Sequence, residues 1–165
     1  METIHCLCVK LRPKRTHKRP ENPNFPKGSS YQQSIIFKVD LFADMVLTRS
    51  SAHSTRPFDV IVWGCTGFTG QLVCEYLHGN HCDLKWAVAG RNYQQMVSLK
   101  ERLKLSDGVE ILVGSIDDPQ SLLDITTKTK VILSTAGPYA KIGTPIVQAA
   151  VDGNCHYCDI TGTCQ

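Results

Sequence analysis

A chain of 165 residues with 42% apolar content can bury one sizeable core, and it holds no apolar run long enough for a membrane-spanning helix. The net charge of +3 is uneven: residues 1–57 carry ten Lys/Arg against four Asp/Glu, and residues 58–165 carry eight against eleven. The basic excess therefore belongs to the leader and not to the fold, and nucleic acid is not an expected partner. Met1–Cys8 is too short and too polar for a signal-peptide core, so the eight cysteines read as mostly reduced thiols and a cytoplasmic chain is the simplest reading.

Residues 1–56 read as a basic leader. In its first 30 residues Lys10, Arg12, Lys14, Arg15, Lys18 and Arg19 are interspersed with Pro13, Pro20, Pro23 and Pro26, a composition that cannot bury enough surface to order itself. A solvated tail is expected; an anionic-membrane contact or a mitochondrial address is the alternative, and Glu2, Glu21 and the prolines weaken the address. From Ile35 to Leu47 the residues Ile35, Ile36, Val39, Phe42, Ala43, Val46 and Leu47 recur at helical spacing. They describe an amphipathic helix, either docked on the domain or lying on a membrane surface, unless Met45 marks the true start and residues 1–44 are an extension. A polar linker, residues 50–57, leads into the fold.

Residues 57–162 read as one dinucleotide-binding unit. A buried strand, Val60–Trp63, breaks into a turn with Gly64, Gly67 and Gly70 and then a helix with the apolar stripe Leu72, Val73, Tyr76 and Leu77, stopped by Gly79-Asn80. Leu84–Ala89 is a second strand, followed by a helix with Met96, Leu99 and Leu103 in register. Val109–Val113 is the third strand, and residues 119–127 a short helix behind Asp117-Asp118. Val131–Thr135 is the fourth strand, Ile142–Val151 the fourth helix, and His156–Ile160 the fifth strand. Five strands alternating with four helices predict an α/β, doubly wound parallel sheet of Rossmann type, order 3-2-1-4-5 with right-handed crossovers. The pair Cys155/Cys158 has a spacing used by zinc and redox sites, but in a strand its two thiols point to opposite faces, so no metal site is expected.

The chemistry is expected at the carboxyl ends of the strands. In the glycine turn, Gly64 reverses the backbone, Gly67 lets main-chain N–H groups approach a pyrophosphate and Gly70 brings helix and strand together. The N–H groups of Thr66, Gly67, Phe68 and Thr69 and the helix dipole would hold the anion. About 20 residues on, where NAD-binding folds place a carboxylate against the ribose 2′-hydroxyl, stands Arg91. A guanidinium pairs with a 2′-phosphate, which points to NADP(H) over NAD(H); the alternative is a solvated residue opening a helix. Ser115 and Asp117 follow the third strand, where either one hydrogen-bonds the adenine or both serve as helix caps. Thr135-Ala136-Gly137-Pro138-Tyr139 ends the fourth strand beside the switch point. There Gly137 lets the backbone pass close to the cofactor, Pro138 stiffens the turn, and Tyr139 either walls the nicotinamide pocket, the favoured role, or donates a proton.

Asp59-Val-Ile-Val-Trp-Gly-Cys-Thr-Gly-Phe-Thr-Gly70, Ala89-Gly-Arg91, Gly137-Pro-Tyr139 with Gly143, and Tyr157-Cys-Asp-Ile-Thr-Gly162 occur in an order and at spacings that resemble the saccharopine dehydrogenase-like oxidoreductases, including trans-acting enoyl reductases. The resemblance covers roughly residues 57–162. It implies an NADP-binding Rossmann domain in which Gly64, Thr66, Gly67, Phe68, Thr69, Gly70 and Arg91 match the family's cofactor turn. It also implies a lipid-droplet or membrane location as the alternative to the cytoplasm, and a link to lipid metabolism. Proteins of this family are longer, continuing into a substrate and dimerisation domain, whereas Thr163-Cys164-Gln165 ends this sequence. The expectation is the NADP-binding part of a hydride-transfer oxidoreductase without its second domain, inactive alone, with a non-catalytic NADP(H)-binding or interaction module as the rival. Substrate, catalytic residues and oligomeric state are not legible.

Overall fold

The computed structural model describes residues 55–160; the basic tail, the segment Ile35–Leu47 and residues 161–165 lie outside the described residues. Five strands, β1 (Phe58–Trp63), β2 (Trp86–Gly90), β3 (Glu110–Val113), β4 (Thr129–Ser134) and β5 (His156–Asp159), alternate with four helices, α1 (Phe68–Asn80), α2 (Tyr93–Arg102), α3 (Pro119–Thr126) and α4 (Tyr139–Asp152). All pairs are parallel and the order is β3-β2-β1-β4-β5, as the alternation of elements predicts.

The near-continuous apolar runs of β1, β2 and β4 follow from burial on both faces. Successive residues point to opposite sides. Val60, Val62, Val88, Val131 and Leu133 meet Val73 and Leu77 of α1 and Met96 and Leu99 of α2. Ile61, Trp63, Ala87, Ala89 and Ile132 meet Leu122 and Ile125 of α3 and Ile146 and Ala149 of α4. Cys155 and Tyr157 pack on the second side and Cys158 on the first, so the two thiols diverge as the strand period requires, and both are free. Among the described residues no His/Cys/Asp/Glu group could hold a metal ion, and no helix is long and apolar enough to cross a membrane.

Element ends are set locally. α1 ends at Asn80, where Gly79-Asn80 is expected to stop it, and both residues lie in its last turn, with Asn80 Nδ2 donating to the Tyr76 carbonyl (3.0 Å) and His81 N–H to that of Leu77 (3.0 Å). Leu72 is only half-buried; Cys74 takes the core position instead. The second strand begins at Trp86, after a turn closed by Leu84 N–H on the His81 carbonyl (3.2 Å).

At the amino ends of the strands, Arg56 and Asp59 tie elements together. The half-buried Arg56 guanidinium donates to the carbonyls of Thr126 (3.0 Å), Gly153 (2.8 Å) and Asn154 (2.9 Å), and also to that of Thr129. It thereby joins the carboxyl ends of α3 and α4, whose last carbonyls have no intrahelical donor and carry the negative end of the helix dipole. Asp59 accepts from Lys85 N–H (3.0 Å) and pairs with Lys130 Nζ (2.7 Å), bridging β1 to both neighbours.

Candidate functional site

The order reverses between β1 and β4, and in an open parallel sheet ligands bind outside the carboxyl ends of the strands at such a point. The chain there is shaped by backbone constraints. Gly64 follows β1 with φ of +80°, a conformation L-residues avoid, and a Cβ on it would stand 2.8 Å from Ala136 Cβ and 2.9 Å from Ala136 N. Gly64 N–H donates to the Ala89 carbonyl (3.0 Å), anchoring the turn to β2. At Gly70 a Cβ would stand 2.4 Å from the Gly64 carbonyl oxygen and 2.6 Å from Cys65 Cα, so only glycine allows α1 to come this close to the turn.

Gly67 is different. It is exposed, has an ordinary extended conformation (φ −70°, ψ 163°), and a Cβ on it would meet only the Gly64 oxygen at 3.5 Å. It is the N-cap of α1 but offers no side chain, and among the described residues no side chain caps this amino end. The first-turn N–H groups of Phe68, Thr69 and Gly70 are therefore left to an outside acceptor, under open space and at the positive end of a thirteen-residue helix. Such a helix end is the kind of place where anions bind. One expectation needs correction: the Gly67 N–H is not available, because it closes the tight turn on the Gly64 carbonyl (3.1 Å). The Thr66 carbonyl accepts from Gln71 Nε2 (2.7 Å), and Phe68 is 69% exposed.

Arg91 follows β2, one strand spacing from the turn, about 5 Å across the sheet. It is exposed, and among the described residues nothing pairs with its guanidinium. Its neighbour Asn92 caps α2 by accepting from Gln95 N–H (3.1 Å), which leaves Arg91 outside the helix.

Ser115 and Asp117 lie beyond β3; Ser115 is held by its main chain to Ser121 Oγ (3.1 Å) and Asp118 N–H (3.1 Å), and by its side chain to Asp117. Ser115 Oγ stands 3.4 Å from Asp117 Oδ2 and accepts from Asp117 N–H (3.3 Å). The helix-capping alternative fails for both. Asp118 is the N-cap of α3, accepting from Ser121 N–H (3.3 Å), with Pro119 next in the helix.

Gly137 and Pro138 are exposed after β4, joined by a cis peptide bond; Pro138 is the N-cap position of α4, and Tyr139 its first residue. The Tyr139 ring folds back under Gly137, and its hydroxyl donates weakly to the Ser134 carbonyl (3.4 Å). Thr135 belongs to the site although the sequence reading assigns it no role. Buried at 8% exposure, its hydroxyl donates to the carbonyls of Trp63 (2.9 Å) and Gly64 (3.1 Å), clamping β4 onto the glycine turn. Its only sequence signal is a hydroxyl directly after an apolar strand, which is too common to single it out.

Cys65, inside the turn, is fully buried, and burial pushes its thiol up to about 12 from 9.0 despite hydrogen bonding to backbone. It is an inert packing residue, not a nucleophile. A separate groove of about 470 Å³, lined in part by Pro57, His78, Lys85 and Trp86, lies at the opposite edge of the sheet. It has neither the glycine turn nor the uncapped helix, so the strand ends are the better candidate.

Comparison with known proteins agrees. Residues 60–165 match the saccharopine dehydrogenase NADP binding domain. Over 112 residues the chain is 32% identical to a trans-acting enoyl reductase of Mycobacterium ulcerans, covering 67% of this chain and 27% of that protein. Over 124 residues it is 34% identical to the human (Homo sapiens) saccharopine dehydrogenase-like oxidoreductase, covering 67% and 29%. The fold is also that of saccharopine dehydrogenase (L-Glu forming) from Saccharomyces cerevisiae, at a TM-score of 0.54 and 19% identity over 65% of this chain and 22% of that one. A short-chain dehydrogenase/reductase from Veillonella parvula DSM 2008, solved with NADP, superimposes at 0.52 and 19% identity over 63% and 48%. The chain thus spans less than a third of the length of these two curated relatives. Its five-stranded sheet, its glycine turn and the match over most of the described residues make it a member of the saccharopine dehydrogenase NADP-binding domain family, with NADP as its cofactor.

Proposed function

We propose that residues 57–162 form the cofactor half of a hydride-transfer site, with the substrate contacts made by protein outside this unit. The observation that carries the reading is the uncapped amino end of α1 under an open Gly67, with the unpaired Arg91 one strand away. The N–H groups of Phe68, Thr69 and Gly70 hold the pyrophosphate, and Arg91 pairs with the 2′-phosphate. Ser115 and Asp117 face the adenine end, and Gly137, Pro138 and Tyr139 line the nicotinamide end. The bound cofactor supplies hydride; the protein's part is to bind and orient it and to keep one face covered. Its relatives' name, enoyl reductase, suggests an activated alkene as the acceptor class. By resemblance to some eukaryotic members of the family, we extend a lipid-droplet or membrane association to this chain as a proposal, beside the cytoplasmic reading.

Two measurements test this. Arg91→Ala is expected to weaken NADPH binding by about tenfold or more, the worth of one charge-assisted pairing, and NADH binding by less than about twofold; equal losses would remove the 2′-phosphate role. Incubation with NADPH and a panel of enoyl thioesters, with the chain alone and joined to a substrate domain from a relative, reads turnover. Cofactor oxidation by the joined protein supports hydride transfer, and binding without turnover in both forms favours a non-catalytic NADP(H)-binding module.

A further inference from the structure

Beneath the first turns of α4 three polar side chains, Ser134, Tyr157 and Asp159, lie on one face at the carboxyl ends of β4 and β5, and the Tyr139 hydroxyl reaches the Ser134 main-chain carbonyl. Ser134 is aligned with Asp159 across the two strands, and Ile132 with Tyr157, so Ser134, Tyr157 and Asp159 share the face covered by α4. Tyr157 donates its hydroxyl to Asp159 Oδ2 (3.0 Å). Tyr139 reaches the same spot from above, its hydroxyl on the Ser134 carbonyl. Gly143 makes room: a Cβ there would stand 3.7 Å from Tyr139 Cβ and 3.8 Å from the Tyr157 hydroxyl, so the two tyrosines flank one bare position on the helix.

Ser134 carries the second observation. It is fully buried, and its hydroxyl has no hydrogen-bond partner, a state that costs free energy and needs a reason. Its hydroxyl stands beside the Tyr157 phenol, without full hydrogen-bond geometry, while its carbonyl takes Tyr139. One residue thus faces both tyrosines. Burial first, and then the Asp159 carboxylate, hold the Tyr157 phenol protonated well above the usual range, so it stays a donor at any working pH.

We propose that Tyr157, keyed by Asp159, is a positioning residue that sets the Tyr139 phenol against the nicotinamide half of the bound cofactor, with Ser134 as the station between them. This rests on the cofactor placement given above. A residue that only filled space here would need neither the hydroxyl nor the carboxylate, and a phenylalanine would satisfy the apolar neighbours of α4.

The test separates the two ends of the cofactor in the full chain. Adenosine 2′,5′-bisphosphate carries the adenine and 2′-phosphate without the nicotinamide, and NADPH carries both. Tyr157→Phe and Tyr139→Phe are each expected to weaken NADPH about tenfold, the equivalent of one hydrogen bond, and to lower the emission of bound NADPH. Binding of the bisphosphate should stay within about twofold, and the double variant should lose no more than either single one, because the two act as a unit. Asp159→Asn, which is isosteric, should give the same split at a few-fold and provides the reading if Tyr157→Phe does not fold. Equal losses for both ligands, additive losses, or no loss of NADPH would overturn the proposal. A parent chain that fails to bind the bisphosphate would instead overturn the cofactor placement itself.

Discussion

Two glycines three residues apart in the same turn should respond to alanine in opposite ways. At Gly64 the left-handed backbone alone costs an L-residue about 1–2 kcal/mol. The new methyl would also stand 2.8 Å from Ala136 Cβ and 2.9 Å from its amide nitrogen, neither of which can rotate away, so backbone must shift at a further cost of about 1–3 kcal/mol. For a domain of this size a loss of 2–5 kcal/mol corresponds to a Tm lower by roughly 10 °C or more. At Gly67 φ is −70° and the methyl meets one oxygen at 3.5 Å, an ordinary contact. A poorer N-cap and a stiffer unfolded chain then oppose each other, and stability should change by less than about 1 kcal/mol. The Gly67 methyl nonetheless occupies the open side of the cradle, so NADPH affinity should fall about tenfold or more. Thermal unfolding followed by circular dichroism, with NADPH titration on each folded variant, reads both effects. A Gly64→Ala protein that melts with the parent, or a Gly67→Ala protein that binds NADPH as the parent does, would refute the reasoning.

Three further outcomes follow from groups away from the turn. Arg56→Met should destabilise the domain by about 2 kcal/mol, since carbonyls at the ends of two helices lose a charged donor, and a shift in the urea midpoint equivalent to less than about 0.5 kcal/mol would show the clasp to be ornamental. Among the described cysteines, exposed Cys82 should be alkylated by iodoacetamide long before buried Cys65 and Cys74, as read by mass spectrometry; early labelling of Cys65 would contradict its burial. Stability should fall as pH rises from about 9 towards 12. Burial pushes the Cys65 thiol up to about 12 and, against the lowering effect of Arg56, that of Cys155 up to about 11, so above the unfolded value of 9.0 the folded chain binds more protons than the unfolded one. Cys65→Ala should flatten that slope in melts taken between pH 8 and pH 11, and an unchanged slope would assign it elsewhere.

Strand order, the glycine turn and the position of Arg91 were legible because each depends on local sequence: runs of apolar residues for buried parallel strands, glycines for a tight turn, a side chain directly after β2. Some element boundaries were less so. The second strand starts at Trp86 and not Leu84, because the turn closed by Leu84 N–H on the His81 carbonyl takes the two residues before it. Asp117 and Asp118 are adjacent carboxylates, and only the path of the backbone makes the second one the cap.

The sequence by itself determined the alternation that forces a doubly wound sheet, and with it the edge at which a dinucleotide can bind, because burial periodicity and turn chemistry are properties of neighbouring residues. Tertiary structure alone decided what converges on that edge from far away in the chain. Thr135 clamps Gly64 from 71 residues off, and the Tyr139 hydroxyl reaches the Ser134 carbonyl beside the Tyr157–Asp159 pair; at the opposite end of the sheet Arg56 reaches Asn154 from 98 residues off. Such meetings are set by register between strands and by which side chain a glycine leaves room for, quantities that no local pattern of residues contains.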